Sequence, residues 1–206
     1  MLTTDLRVPH QDPDDFYDVA CAVALGFHGV VLDDPHTGTI QAAREAGAQV
    51  LEPKDLRTAD AIVVVGAATA AARAYRGQRV VLFAGDAAGI PEVNELMDAD
   101  AYNYLRAKGA IWVPCFDGGG FQGSERSSWT FTHDDEVMAG TRWESWFRRY
   151  CGDTWGVRSL YCGAYLAFAS RDAVAGATAR PFRDGGQLAV ATRALLAQAS
   201  PVVSVG

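Results

Sequence analysis

Asp5, Asp12, Asp14 and Asp15 crowd the first fifteen residues, and Asp18 follows within one helical turn. Thr3-Thr4-Asp5 ends a short strand-like stretch, and Asp12-Pro13-Asp14-Asp15 leads into an apolar, helix-forming run. Two kinds of chemistry put acids there. An Asp at a helix start accepts from free N–H groups and complements the dipole, which accounts for one or two of them. Four together repel one another unless a cation neutralises them, and donors of this hardness suit calcium or magnesium rather than zinc. Spacing alone leaves both open.

The other reactive side chains read more plainly. His133-Asp134-Asp135 looks like a helix N-cap ahead of Val137, His10 like a solvated loop residue, and His28 and His36 like polar residues flanking a strand. Gly118-Gly119-Gly120 is no phosphate loop, because no G-K-[ST] follows it. A hinge is the modest reading. Trp129, Trp143, Trp146 and Trp155 gather in one region and read first as core or interface, with Trp129 and Phe131 the best base-stacking candidates.

Elements must bring these residues together. Short apolar runs over 29–32, 61–65, 79–83 and 110–114 read as strands. Segments over 16–25, 38–46, 69–75, 97–108 and 188–199 read as helices. A helix over 136–150 is expected after a long loop. Continuous apolar strands separated by helices predict an open, mostly parallel α/β sheet with helices on both faces. Such sheets carry their chemistry on loops at the strands' carboxyl ends. That is where the acids fall.

Composition sets the frame. The chain has 206 residues, 49% of them hydrophobic and 21% charged, which is enough for one core and ordinary for a globular domain. A single domain over 1–206 is expected. With 18 basic against 25 acidic residues the net charge is −7, which disfavours a nucleic-acid partner. The apolar run 59–74 is broken by Asp60, Gly66 and Arg73, so no membrane span is expected. No basic n-region opens the chain, and Cys21, Cys115, Cys151 and Cys162 form no C-x-x-C pair. These features predict a cytoplasmic protein with free or buried thiols.

Three stretches together resemble the nucleoside hydrolase family, of the inosine/uridine-preferring type. Thr3-Thr4-Asp5 with Asp12-Pro13-Asp14-Asp15 is similar to that family's opening aspartate motif, with a longer loop between. The stretch from Ile62 to Ala72, with Gly66 and Thr69, looks like its second strand, turn and alanine-rich helix. Pro91-Glu92-Val93-Asn94, with Asp98 and Ala101 beyond, resembles a third motif. They fall in the family's order. The resemblance implies a nucleoside hydrolase-like fold and calcium-dependent hydrolysis of the N-glycosidic bond of a nucleoside or related ribosyl compound. Asp5, Asp15 and the Thr69 carbonyl would bind Ca2+, and Asp14 would be the general base on a calcium-bound water. Asp86, Glu92 and Asn94 would hold the sugar. A homo-oligomer with a small-molecule substrate is expected.

The chain also departs from that pattern. The segment from Leu32 to Leu56 is shorter than the family's, and the late His-Asp pair is missing. Its expected place reads Tyr161-Cys162-Gly163-Ala164, without a carboxylate. Leaving-group protonation would fall to His133, Tyr161 or solvent, and Asp12 is a further acid near the site. The loss supports an alternative: a nucleoside hydrolase-like protein that binds a ligand without cleaving it. A metal-dependent phosphohydrolase using the same aspartates is a third reading, against which the Glu92–Asn94 motif speaks.

Overall fold

A computed structural model of the protein describes residues 1–9, 13–85, 91, 93–113, 130–131, 137–151, 159–160 and 185–199. Asp12, Asp86, Glu92, His133, Tyr161 and the Gly118–Gly120 stretch lie outside them.

Six strands form one all-parallel sheet in the order β3-β2-β1-β4-β5-β6. They are β1 (Leu2–Thr4), β2 (Val30–Leu32), β3 (Val50–Leu51), β4 (Ala61–Val64), β5 (Arg79–Phe83) and β6 (Ile111–Val113). The expected fold class is the observed one. The chain winds outward from β1 through β2 to β3, then returns to the other side of β1 for β4. That reversal is a topological switch point, where an α/β sheet opens a crevice beyond its strand ends. The helices are α1 (Pro13–Ala24), α2 (Thr37–Glu45), α3 (Thr69–Ala74), α4 (Val93–Met97), α5 (Ala99–Ala107), α6 (Glu144–Cys151) and α7 (Gly185–Gln198). A 3-10 turn spans Pro53–Thr58, and a separate antiparallel pair joins β7 (Thr130–Phe131) to β8 (Ser159–Leu160).

The sheet separates two cores of different make. On one face α1 buries Phe16, Tyr17, Val19 and Ala20 in a shared core, with Phe16 and Tyr17 against α6. Phe16 tilts against Trp146 at 5.2 Å, and Tyr17 against Phe147 at 5.3 Å. Full burial of such side chains contributes roughly 1.5–3 kcal/mol each. The Trp143 and Trp146 indoles donate to the carbonyls of Ala46 and Ala42 at 2.9 and 2.8 Å. The Ala46 carbonyl lies just past α2, where a helix leaves acceptors unsatisfied, while the Ala42 carbonyl also accepts from the Ala46 amide. Trp143 and Trp146 are therefore core residues, as expected. The opposite face is built of small side chains, Ala68, Ala71, Ala74 and Ala101, packed around Leu82, Tyr102 and Leu105.

Two expected helices differ in detail. The helix expected over 97–108 is two helices broken at Asp98. There the carboxylate accepts from the Ala101 amide at 3.1 Å and caps α5. The break leaves Met97 exposed, and Ala101, Tyr102 and Leu105 form the buried stripe. Within the helix expected over 136–150, Val137 and Met138 are helical, a turn over 139–143 interrupts it, and α6 resumes at Glu144. The short β3 and the 3-10 turn carry too few residues to show a period, and the sequence alone does not reveal them.

Candidate active site at the carboxyl edge of the sheet

Parallel strands end on a common edge, and the acids stand at it. Thr4 of β1 is in register with Leu32 of β2. The next residue of each strand is therefore an aspartate, Asp5 and Asp33. The Asp33 amide donates to the Thr4 carbonyl at 2.9 Å and extends the ladder one step beyond the strands. Asp14 and Asp15 lie in the first turn of α1 and are buried. Aromatic packing of α1 on α6 holds that turn in place.

The loop from β1 toward α1 is fastened to α2. The Leu6 amide donates to Thr4 Oγ1 at 3.3 Å, and the Val8 amide to Thr39 Oγ1 at 3.2 Å. His36 Nε2 meets the same Thr39 hydroxyl at 2.8 Å, so His36 is a local tie, in keeping with its reading as a polar edge residue. Arg7 pairs with Asp34 on the exposed side.

Across the switch point, β4 contributes a turn rather than an acid. Gly66 follows Val65 and lies directly beneath the aspartates. An ideal Cβ on Gly66 would stand 2.6 Å from Asp33 Oδ2, 2.6 Å from the Asp5 amide nitrogen and 2.8 Å from Asp5 Oδ1. Any other residue would push into that space. The neighbouring Ala67 amide donates to Asp33 Oδ2 at 2.8 Å. Burial and the negative charge of Asp5 push the Asp33 carboxyl from 3.8 up to about 7, against the opposing pull of the Ala67 amide.

Asn94, buried at the start of α4, donates through Nδ2 to the Val65 carbonyl at 3.3 Å. It is thereby on the same edge as Asp5 and Asp14. Tyr102 donates to the Gly66 carbonyl at 2.7 Å, buttressing the same turn from α5. Thr69 opens α3 just beyond, and its hydroxyl donates to Asp98. That bond and the Ala101 amide hold Asp98 below the usual carboxylate range.

Asp5, Asp14, Asp15, Thr69 and Asn94 thus all belong to segments that follow β1, β4 and β5 at one edge. Asp12, Asp86, Glu92, His133 and Tyr161 lie outside the described residues. Asp33 was missed by the sequence reading. Its signal was available, because Asp33 follows the 29–32 run as Asp5 follows Thr3-Thr4.

The donor chemistry fits a hard cation in kind. Carboxylate oxygens from two adjacent strand ends face one space kept open by a glycine. Among the described residues, however, no three His, Cys, Asp or Glu side chains form a group that could hold an ion alone. Waters, backbone carbonyls or residues beyond them would complete a calcium shell of six to eight oxygens. Among the described residues, no helix is long and apolar enough to cross a membrane.

No protein-family model matches the chain. No curated protein matches it. Among solved structures it is similar to a plant nucleoside hydrolase, at a TM-score of 0.60 and 10% identity, over 96% of this chain and 98% of that one. At that identity the likeness is one of architecture: the chain has a nucleoside hydrolase-like α/β fold.

Proposed function

We propose that the protein is a calcium-dependent hydrolase of the N-glycosidic bond of a nucleoside or a related ribosyl compound. The observation that carries this reading is the gathering of Asp5, Asp14, Asp15, Thr69 and Asn94 at one edge, in a fold like that of a nucleoside hydrolase. Asp5 and Asp15, with the Thr69 carbonyl, would hold the ion. Calcium held there would supply Lewis acidity to a water.

The chain's own groups do the rest. Asp14, in the first turn of α1, takes the proton from the attacking water as its oxygen bonds to the anomeric carbon. The bond from that carbon to the base nitrogen breaks, and the base leaves with a proton from His133, Tyr161 or solvent. Buried carboxylates beside the sugar stabilise the positive charge that develops on it. Asn94, its amide fixed by the Val65 carbonyl, holds a ribose hydroxyl together with Asp86 and Glu92.

A reducing-sugar assay over a panel of purine and pyrimidine nucleosides, with calcium and with a chelator, tests the reading. Sugar release that the chelator abolishes is the expected result. A second reading draws on the sequence at Tyr161–Ala164, which carries no late His-Asp pair. That favours a binding protein without turnover. No release across the panel, with saturable binding of a nucleoside, would put the second reading in place of the first.

A further inference from the structure

Large apolar side chains in the open are unevenly spread. Among the described residues these are Val93, Leu96, Met97, Tyr104 and Val190, and four of the five fall within α4 and α5. Scattered singly they would mean little; gathered on one pair of helices and rimmed by charge they mark a contact surface. The inner face of α4 is spent on the candidate site, where Asn94 bonds to the Val65 carbonyl. Val93, Leu96 and Met97, spaced i, i+3 and i+4, form its outer stripe, with Val93 68% and Leu96 64% exposed. Glu95 pairs with Arg106 at 3.1 Å, and that guanidinium lies over the Trp112 ring at 4.5 Å, which fixes α4 alongside α5.

The outer stripe of α5 carries its charges in order. Asp100, Tyr104 and Lys108 recur every fourth residue, and all three are exposed. Tyr104 is central: at about 1.5 Å per residue, the acid stands about 6 Å to one side of it and the base about 6 Å to the other. Lys108 Nζ lies over the Tyr104 ring at 5.5 Å, and neither Asp100 nor Lys108 has an ion-pair partner among the described residues. The helix dipole alone accounts for an acid at the start and a base at the end. It does not account for the apolar side chains left in water beside them. A two-fold axis at Tyr104 reverses the order in a second copy, so that Asp100 faces the partner's Lys108 at both ends. Helices packed about 8–10 Å apart bring such side chains within reach. We infer that the outer faces of α4 and α5 form an isologous interface with a second copy of this chain. The contact leaves Asn94, on the inner face of α4, to the site, and it holds whether or not the chain cleaves a nucleoside.

Sedimentation velocity of the full chain over a range of concentrations tests the interface. Wild type should dimerise. Lys108→Glu sets two acids against each other at both ends of the contact, and Asp100→Lys sets two bases; each should weaken the dimer by at least about tenfold. The double variant carrying Asp100→Lys and Lys108→Glu restores both pairs with their signs exchanged and should regain most of the lost affinity. Leu96→Asp puts a charge into the apolar stripe and should also weaken the dimer by at least about tenfold. Circular dichroism of each variant checks that α5 still forms, because the reversed charges oppose its dipole. Should Lys108→Glu fail to fold, Lys108→Ala takes its place beside Leu96→Asp. A monomeric wild type would overturn the interface and leave the face to a different partner. A dimer indifferent to Lys108→Glu and Leu96→Asp would overturn it as well, since the copies would then meet elsewhere. A double variant no tighter than the single ones would overturn the two-fold register.

Discussion

The aromatic face of the sheet and its carboxyl edge are separated by one turn of α1, yet they are built on opposite terms. On the aromatic face, α1, α2 and α6 satisfy themselves: rings meet rings, and two indoles answer the carbonyls at the end of α2. At the edge, the same α1 begins with two buried acids, and β1 and β2 end in a pair that repels. Burying a carboxylate costs several kcal/mol of desolvation per ion before any partner compensates it. Strain of this kind gathers where a protein binds or reacts. On the proposed reading the aromatic face carries stability and the edge carries function, with α1 joining the two.

The largest expected effect breaks the functional side alone. Asp14→Asn preserves shape and removes basicity, so sugar release should fall by at least ~10²-fold while nucleoside binding persists. Steady-state kinetics beside ligand titration measures both. Equal turnover in the variant would take the base assignment from Asp14.

The converse variant breaks the structural side. Trp143 is buried, stacks under the Arg142 guanidinium at 4.1 Å and donates to Ala46. Trp143→Ala should lower unfolding free energy by about 3–5 kcal/mol in denaturant melts. Because the Trp143 indole bonds to the end of α2, turnover per folded molecule should hold well below the melting point. A loss of turnover far greater than the loss of folded protein would show that the two regions are not separable in this way.

The two regions also differed in how much of them the sequence disclosed. The parallel sheet was legible from apolar runs such as 79–83, whose observed bounds match the expected ones, because a strand buried on both faces needs uninterrupted apolar side chains; the order of its strands was not. Asp5, Asp14 and Asp15 were legible for the complementary reason: acids at strand ends and helix starts stand out against such runs. Asp33 was not. Its importance depends on the β1–β2 register and on Gly66 arriving from β4, which are contacts between segments far apart in the chain. The break at Asp98 was hidden likewise, since a helix-compatible acid becomes a cap only through the path the backbone takes there.

A pH series sharpens the comparison at the edge. Asp33 binds its proton more tightly folded than unfolded, with the folded value raised from 3.8 to about 7. Its contribution to stability is therefore complete below about pH 4 and is lost as pH rises toward 7. At about 1.4 kcal/mol per unit, the span is on the order of 4 kcal/mol. Denaturant melts in chelator at pH 5 and pH 8 should show wild type weakening across this range more than Asp33→Asn. Parallel curves would mean that Asp33 stays charged and compensated throughout.

The smallest effect lies at the border of the site, where Asp98 caps α5 and accepts from Thr69. Both bonds favour its ionised form, so its stabilisation is present at neutral pH and fades as pH falls through the carboxylate range. Asp98→Ala removes a cap worth about 1 kcal/mol. The same change frees the Thr69 hydroxyl at the start of α3, next to the carbonyl assigned to the ion. If Thr69 serves only through its backbone, the variant should melt slightly lower and bind calcium with nearly unchanged affinity. Calorimetry of Asp98→Ala beside Asp98→Asn decides the point, because asparagine keeps the cap. A calcium affinity lost in both variants would mean that the Thr69–Asp98 bond sets the geometry of the ion site, and that the functional edge extends across β4 to α5.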